Sequence, residues 1–238
     1  MTADFSQRSG VLEIMDDLDC KGEVVDQTLR ELDIINHWLG GNVVTRGGLN
    51  SLLQHVTIKK TISIVDLGCG SGEMLRLISK AANRDGRKVE LFGIDANPNI
   101  TSFAQKHSAA YDHISFEAQD IFSKEFQGRK FDVALATLFF HHFDDEQLIA
   151  FFKLLKGQVN IGIVINDIHR HFLPYYSIKL LTRFFSRSSM VKFDAPLSVL
   201  RAFKKKELIN ILSKAGIENY SLKWKWAFRW QVIISLPT

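Results

Sequence analysis

The pattern of apolar and polar positions changes once along this chain, near residue 61. Before that point the apolar residues recur at helical spacing, and they lie on one face of a helix at Leu29, Leu32, Ile35, Trp38 and Leu39. We therefore predict helices across residues 11–56, with a stop at the Gly40–Gly41 pair and a second helix over residues 49–55. No strand pattern precedes residue 61.

From residue 61 onward, short runs of apolar and β-branched residues alternate with helical patterns. Five runs predict strands, over residues 61–67, 88–95, 114–120, 131–137 and 160–167. Helices are predicted between them over residues 72–82, 99–107 and 145–155. Continuous apolar strands separated by helices indicate a parallel sheet that is covered on both faces.

The alternation of predicted strands and helices ends after residue 167. Residues 168–203 are predicted to form a lid insertion, and a helix over residues 204–215 follows it. The last residues suggest two strands with a tight connection, an antiparallel hairpin. We therefore predict a doubly wound α/β fold with seven strands, in which residues 1–58 form a helical N-terminal cap on the domain of residues 59–238.

Composition sets bounds on the class of protein. The 238 residues are 46% hydrophobic, which suits one α/β domain with or without a cap. Cys20 and Cys69 provide no disulfide framework. The N-terminus lacks an apolar signal-peptide region, and no apolar run approaches the roughly 18 residues of a membrane span. We expect a cytoplasmic protein with reduced thiols and no integral membrane segment.

The net charge of +4 is unevenly distributed. Residues 168–206 contain nine Lys and Arg residues and a single acid, Asp194. Such a basic stretch suits an RNA surface, peripheral contact with an acidic membrane, the rim of a site for an anionic substrate, or a solvated face. These alternatives remain open on the sequence.

The stretch "IVDLGCGSGEM", residues 64–74, is a glycine-rich loop with acids on both sides. A dinucleotide fingerprint would need a third glycine where Glu73 stands, and the Gly-Lys-Ser/Thr of a P-loop is absent. Both Asp66 and Glu73 would repel a pyrophosphate. The loop is therefore expected to hold a cationic or zwitterionic group close to the backbone.

Acids also end the next two predicted strands. Asp95 stands where a carboxylate accepts hydrogen bonds from ribose hydroxyls, and Asp120 could accept from an adenine amino group. Together with Asp66, they suit a ligand that has an ammonium, a ribose and an adenine. S-adenosylmethionine (SAM) has all three and adds a positive sulfonium, so we predict SAM as the cofactor.

The motifs "VDLGCGSG", "GIDANP", "QDIF" and "LFFHHFDDEQL" resemble those of class I SAM-dependent methyltransferases across residues 61–167. The later pieces "NDIHRH" and "DAPLSVLRAF" are similar to a bacterial subgroup that acts on small molecules. The resemblance implies a Rossmann-like fold and a set of cofactor contacts. In that set Asp66, Gly68, Gly70 and Gly72 surround the methionine portion, Asp95 holds the ribose, Ala96, Asp120 and Ile121 lie at the adenine, and Leu138 lies near the sulfonium.

The pair of histidines after the fourth strand suggests the chemistry. His141 is expected to act as the general base, because an imidazole exchanges protons near neutral pH. His142 is expected to turn inward and bond to the backbone, and it stays among the candidate substrate contacts, which are His142, Asp167, His169 and Arg170. No metal is predicted, because neighbouring residues on one turn rarely converge on an ion.

We therefore expect a methyltransferase that acts on a hydrophobic small molecule beneath the lid, by O-methylation of a phenolic or polyketide-like acceptor. C-methylation of a quinol-like acceptor is the closest alternative, and RNA or protein methylation and a non-catalytic SAM-binding role are the others. Nucleic acid is disfavoured, because the Asn/Asp-Pro-Pro-Tyr/Phe motif is absent and aliphatic residues interrupt the basic stretch. No motif excludes a protein substrate.

Overall fold

A computed structural model describes residues 3–236 of the chain, and within them one seven-stranded sheet forms the centre. The strands are β1 Ile62–Leu67, β2 Val89–Asp95, β3 Ile114–Ala118, β4 Phe131–Thr137, β5 Val159–Ile168, β6 Tyr220–Lys225 and β7 Arg229–Ser235. Their order across the sheet is β3-β2-β1-β4-β5-β7-β6. Strands β1 to β5 pair in parallel, and β7 pairs antiparallel with both β5 and β6. The predicted fold class is confirmed, including its C-terminal hairpin.

Helices cover both faces of the sheet and its carboxyl edge. They are α1 Glu23–Trp38, α2 Gly41–Leu53, α3 Glu73–Arg84, α4 Pro98–His107, α5 Lys124–Gln127, α6 Asp145–Gln158, α7 Phe172–Phe185, α8 Ser189–Arg201 and α9 Lys205–Lys214. Single 3₁₀ turns occur at Ile14–Asp16 and Phe140–His142. Strands β1 and β4 are buried on both faces, which explains their continuous apolar runs.

The second helix of the N-terminal segment starts earlier than predicted. Gly40 adopts a left-handed conformation with φ of 71° and turns the chain directly into α2 at Gly41. Two glycines, Gly47 and Gly48, weaken the helical pattern in the sequence. Gly48 is needed for packing, because a Cβ at this position would lie 2.5 Å from Val164 Cγ1 on β5. Tertiary contact therefore outweighs low helix propensity here.

The predicted insertion consists of α7 and α8. The turn between these helices is attached to α1, where Thr28 Oγ1 and Ser188 Oγ lie 2.7 Å apart. The Glu31 carboxylate also accepts a 2.9 Å hydrogen bond from the Arg187 backbone N–H. In the described part of the chain, no helix is both long and apolar enough to cross a membrane.

Candidate active site

A cavity of about 660 Å³ opens at the carboxyl edge of the parallel strands. Its walls come from the loops after β1, β2, β3 and β4, from α1 and α8, and from the segment around the Ile14–Asp16 turn. This is the edge at which doubly wound sheets bind their ligands, and the volume is within the range of small-molecule sites.

The glycines of the loop after β1 have different roles. A Cβ on Gly68 would lie 2.1 Å from the Phe139 ring, so glycine permits close packing there. A Cβ on Gly70, whose φ is 50°, would meet no atom of the described residues, its chain neighbours aside, closer than Leu29 Cδ2 at 3.9 Å, so this glycine leaves space along the cavity wall. Gly72 instead caps α3 and packs against Phe116, outside the cavity lining. Its position corresponds to a turn and packing role.

Asp66 is a buried acid on the floor of the cavity. It is 2% exposed, and its Oδ1 has no hydrogen-bond partner within the described residues. Burial raises the pKa of Asp66 to about 8, with a smaller contribution from the negative charge of Asp95. A buried carboxyl oxygen without a partner is costly, so this site favours a ligand that brings a cationic hydrogen-bond donor.

The acids after β2 and β3 also line the cavity. Asp95 Oδ2 accepts a hydrogen bond from Gly70 N at 3.3 Å, and Asp95 Oδ1 accepts one from Asn97 N at 3.1 Å. Burial raises the pKa of Asp95 despite these two bonds. Asp120 Oδ1 accepts from Phe122 N at 2.9 Å. The other predicted cofactor contacts on this wall are Ala96, Ile121 and Leu138.

Leu138 occupies an unusual backbone conformation where β4 meets the cavity. Its φ is 54°, a left-handed value that is rare for a leucine, and its N–H donates to the Asn166 carbonyl at 2.8 Å. Non-glycine residues in this conformation cost roughly 1–3 kcal/mol and occur often at functional sites. The turn that follows orients the two histidines.

His141 forms a buried dyad with Asp167 at the other end of the cavity. His141 Nδ1 lies 2.8 Å from Asp167 Oδ1, and the His141 backbone N–H donates to Asp167 Oδ2 at 3.2 Å. Burial alone would lower the pKa of His141, but the Asp167 carboxylate, with a contribution from Glu13, raises it to about 9. Hydrogen bonds and the histidine charge hold the pKa of Asp167 below its usual value despite its own burial.

Glu13 reaches the same dyad from the N-terminal segment. Its Oε1 lies 3.6 Å from His141 Nε2, and both side chains line the cavity. Burial would raise the pKa of Glu13, but interactions with His141, His142 and Arg201 lower it. An imidazole between two carboxylates is therefore held in its charged form near neutral pH.

The structure reverses the predicted orientations of the two histidines. His141 is the inward one, at 3% exposed, whereas His142 is half-buried on the cavity wall. His142 does not bond to the backbone as predicted; its Nδ1 lies 2.6 Å from Asp16 Oδ1. Arg201 pairs with Asp16 and donates to the His142 carbonyl at 2.7 Å, so one ion-pair network fixes this wall.

Three of the four predicted substrate contacts do not line the cavity. Asp167 lies behind His141, which places it to act through the imidazole. Arg170 is fully buried and pairs with Glu207, and His169 lies against the Trp230 ring with 4.9 Å between centroids. The chain turns away from the cavity at His169, which forms a bridge with Phe203. Only His142 is placed to touch an acceptor.

Several cavity residues were not predicted from the sequence. Asp33 on α1 accepts from Ser71 Oγ at 2.7 Å, and burial raises the pKa of Asp33 to about 6. Asp33 follows Leu29 by four residues and so lies on the apolar face of α1. This spacing could have indicated that Asp33 faces the protein interior. Glu13 and Asp16 carried no comparable signal, because neither belongs to a motif.

The ligand atoms of Glu13, His141 and His142 lie within 4.8 Å of one another, close enough to suit a metal ion. The guanidinium of Arg201, however, lies 3.9 Å from the Glu13 carboxylate and supplies a positive charge to the same cluster. Ion pairing of the Glu13 carboxylate with Arg201 and His141 accounts for this cluster without a metal ion. The absence of a metal remains a prediction.

Comparison with known proteins identifies the domain. Residues 64–160 match the family described as "Methyltransferase domain". Phosphoethanolamine N-methyltransferase of Plasmodium falciparum (isolate 3D7) is 29% identical over 97 residues, which span 40% of this chain and 35% of that relative. Residues 64–160 are therefore similar to a methyltransferase domain, and the resemblance predicted from the motifs is confirmed.

Solved structures share the fold at low sequence identity. The plantazolicin methyltransferase BpumL in complex with SAH superposes with a TM-score of 0.63 at 18% identity, covering 90% of this chain and 100% of that one. The CurJ carbon methyltransferase superposes with a TM-score of 0.62 at 14% identity, covering 83% of this chain and 54% of that one. These likenesses support the fold.

Proposed function

We propose that this chain transfers the methyl group of SAM to a hydrophobic small molecule, at an oxygen of a phenolic or polyketide-like acceptor. One observation carries the proposal. A single cavity joins a buried acid without a partner, Asp66, to a histidine–carboxylate dyad, His141 and Asp167. The first suits a cationic donor, and the second suits proton transfer from an acceptor.

The end of the cavity that contains Asp66, Asp95 and Asp120, called the acid-lined end below, has residues that fit SAM. Asp66 would accept a hydrogen bond from its ammonium, beside the space that Gly70 leaves open. Asp95 would hold the ribose, and Asp120 with Ala96 and Ile121 would enclose the adenine. When bound, SAM supplies an electrophilic methyl group on a sulfonium. The complexes of similar proteins with SAH support this choice of cofactor.

His141 would take the proton that the acceptor loses. The hydrogen bond from Nδ1 to Asp167 fixes the tautomer, so Nε2 is the nitrogen that accepts a proton. With a pKa of about 9, His141 is mostly protonated near neutral pH, and its base form grows as the pH rises. Methyl transfer to a neutral hydroxyl should therefore accelerate with pH up to about 9.

The surroundings of the dyad favour an apolar acceptor. Leu12, Met15, Phe139 and Val191 line the cavity together with His141. Positioning of the acceptor between these side chains supplies much of the expected rate, since well-oriented reactants gain roughly 7–11 kcal/mol. C-methylation of a quinol-like acceptor would use the same dyad to remove a proton from carbon, and the product distinguishes the two reactions.

The test is incubation of the full chain with methyl-labelled SAM and a cell extract, followed by identification of the labelled product. We expect label in an extractable small molecule at an O-methyl group. Label at carbon would support the alternative reaction, and label only in protein or RNA would contradict the small-molecule proposal. The His141→Ala variant is the control, because it should bind SAM but transfer the methyl group far more slowly.

A further inference from the structure

Helix α7 exposes an apolar stripe to solvent. Phe172, Tyr176, Leu180 and Phe184 follow one another at intervals of four residues and therefore lie on one side of the helix. Each is 50–69% exposed, and Phe185 at the end of the helix is 81% exposed. The opposite side of α7 packs on α8 and contains the buried Pro174 and Thr182. The stripe is thus open to solvent in the described part of the chain.

Basic side chains surround this stripe. Lys179 and Arg183 lie along its edge, and Arg187 and Lys192 follow in the next turn and at the start of α8. All four are exposed, and none forms an ion pair within 4.0 Å among residues 3–236. The single acid of the segment, Asp194, is buried and accepts from the Ile14 and Met15 backbone N–H groups. The surface is therefore positively charged around an apolar centre.

The stripe belongs to a well-anchored element. The Glu31 carboxylate on α1 accepts hydrogen bonds from the Arg187 and Ser188 backbone N–H groups at 2.9 and 3.3 Å. Ser188 also caps α8 through a hydrogen bond from Val191 N at 3.2 Å. Both ends of the α7–α8 turn are thus fixed to the body of the protein, and the apolar side chains are presented on a rigid support.

We propose that the exposed face of α7, defined by Phe172, Tyr176, Leu180, Phe184 and Phe185 with its basic rim, docks on the surface of a membrane that contains anionic lipid. Aromatic and aliphatic side chains insert at the boundary of headgroups and acyl chains, and lysine and arginine attract the anionic headgroups. The positive charge of the basic rim is the reason for proposing an anionic membrane surface. A nucleic acid would instead require a polar basic face, with the aliphatic residues buried.

Docking of α7 on a membrane would place the cavity near acceptors that dissolve in the membrane. Helix α8 lies between the docking face and the cavity, where it contributes Val191, Asp194 and Ser198 to the lining. A hydrophobic acceptor dissolved in the membrane would then be separated from the cavity by this one helix. The docking proposal itself rests on the α7 surface alone, so it can succeed or fail independently of the proposed methyl transfer.

The test is co-flotation of the full chain with vesicles of phosphatidylcholine and phosphatidylserine in a 7:3 ratio, compared with vesicles of phosphatidylcholine alone. We expect binding to the anionic vesicles that weakens with added salt. Lys179→Glu with Arg183→Glu should reduce the partition coefficient by at least about 25-fold, since each basic residue contributes about fivefold. Lys205→Glu with Lys206→Glu on α9 is the matched control, with the same charge change on an exposed site elsewhere.

A second pair of variants tests the apolar contribution. Phe184→Ser with Phe185→Ser should abolish co-flotation, whereas Leu154→Ser with Ile209→Ser, exposed on α6 and α9, should leave it unchanged. The proposal is overturned if the wild-type chain does not float, or if the α7 variants float like wild type. It is also overturned if the chain instead forms a dimer that Phe184→Ser with Phe185→Ser disrupts, or retains RNA without binding vesicles.

Discussion

The two ends of the cavity are built on opposite electrostatic principles. At the acid-lined end, Asp66 is buried and Asp33 and Asp95 are half-buried, and desolvation raises the pKa of each more than any nearby positive charge lowers it. At the dyad end, Asp167 and Glu13 are buried and Asp16 is half-buried, so desolvation acts there too, but interactions with histidine and arginine side chains lower the pKa of each. Among the described residues, only Asp33 at the first end has a basic ion-pair partner, Arg76 at 3.8 Å, and Asp66 has none, whereas the acids of the second end are paired with histidine and arginine.

The difference shows how one cavity can divide binding from chemistry. A buried acid with an unpartnered oxygen, as at Asp66, destabilises the free protein and gains a favourable partner when a cationic ligand enters, so it is suited to binding. A charge network that is already paired costs little further rearrangement, so it can hold an imidazole in place for proton transfer. Changes at the two ends should therefore separate cofactor affinity from turnover.

The largest effect is expected at the dyad end. His141→Ala should reduce kcat by roughly 10²–10⁴-fold, because the general base is lost. The affinity for SAM should stay within about twofold of wild type, as measured by calorimetry. His55→Ala, at an exposed histidine, is the control. If His141→Gln, which keeps a donor for Asp167, has wild-type turnover, His141 has no part in the chemistry.

The second prediction concerns Arg170 and asks whether it supports the fold or contacts the substrate. Because Arg170 is buried against Glu207, outside the cavity, Arg170→Met should lower the free energy of unfolding by about 3 kcal/mol. The acceptor KM should not change. Denaturant titration measures the first quantity, and Arg183→Met at an exposed site should alter it by less than about 0.5 kcal/mol. A raised KM with unchanged stability would restore Arg170 to the substrate site.

At the acid-lined end, the predicted effect is on affinity. Asp95→Ala should raise the Kd for SAM by about 30- to 100-fold, the equivalent of losing hydrogen bonds to a charged acceptor. Turnover at saturating SAM should change by less than threefold. Asp112→Ala, at an exposed acid, provides the baseline. Unchanged affinity in the Asp95 variant would contradict the ribose assignment.

The pH dependence of turnover should distinguish the charge state of the dyad. His141 has a raised pKa of about 9, so kcat should increase from pH 6 and level off near pH 9. Asp167→Asn removes the main charge that raises this pKa, so its profile should level off at least one pH unit lower, with reduced kcat. Identical profiles for the two proteins would show that His141 is not the titrating base.

The same group affects stability, with the opposite trend. Because the folded pKa of about 9 is above the ordinary histidine value of about 6.5, the interaction stabilises the protein fully below pH 6.5. The contribution is lost as the pH rises through 9. Wild type should therefore lose stability over this window, and Asp167→Asn should lose less.

The acid-lined end could largely be predicted from the sequence, and the dyad end could not. Parallel strand ends meet at one edge of a sheet, so Asp66, Asp95 and Asp120 were expected to converge from their positions alone. The contacts at the dyad end join residues far apart along the chain. Asp16 pairs with His142, 126 residues away in the sequence, and with Arg201, 185 residues away. The spacing of apolar residues cannot predict such long-range pairs.

The orientation of the histidines was beyond sequence reasoning for a related reason. Adjacent residues in a 3₁₀ turn point in different directions, and here His141 meets Asp167 while His142 meets Asp16. Similarly, the bridge between His169 and Phe203 redirects the chain after β5, so Arg170 meets Glu207 rather than the cavity. Both errors arose where tertiary contacts set the direction of a short connecting segment.

The most direct test of the electrostatic account is calorimetric titration of the wild-type chain with SAM at pH 6.5 and pH 8, in buffers of different ionisation enthalpy. Asp66, with a pKa of about 8, must ionise to pair with the ammonium of SAM. We predict one SAM per chain, release of up to one proton at pH 6.5, and affinity about tenfold higher at pH 8. Absence of SAM binding, or equal affinity at both pH values with no proton released, would contradict the account.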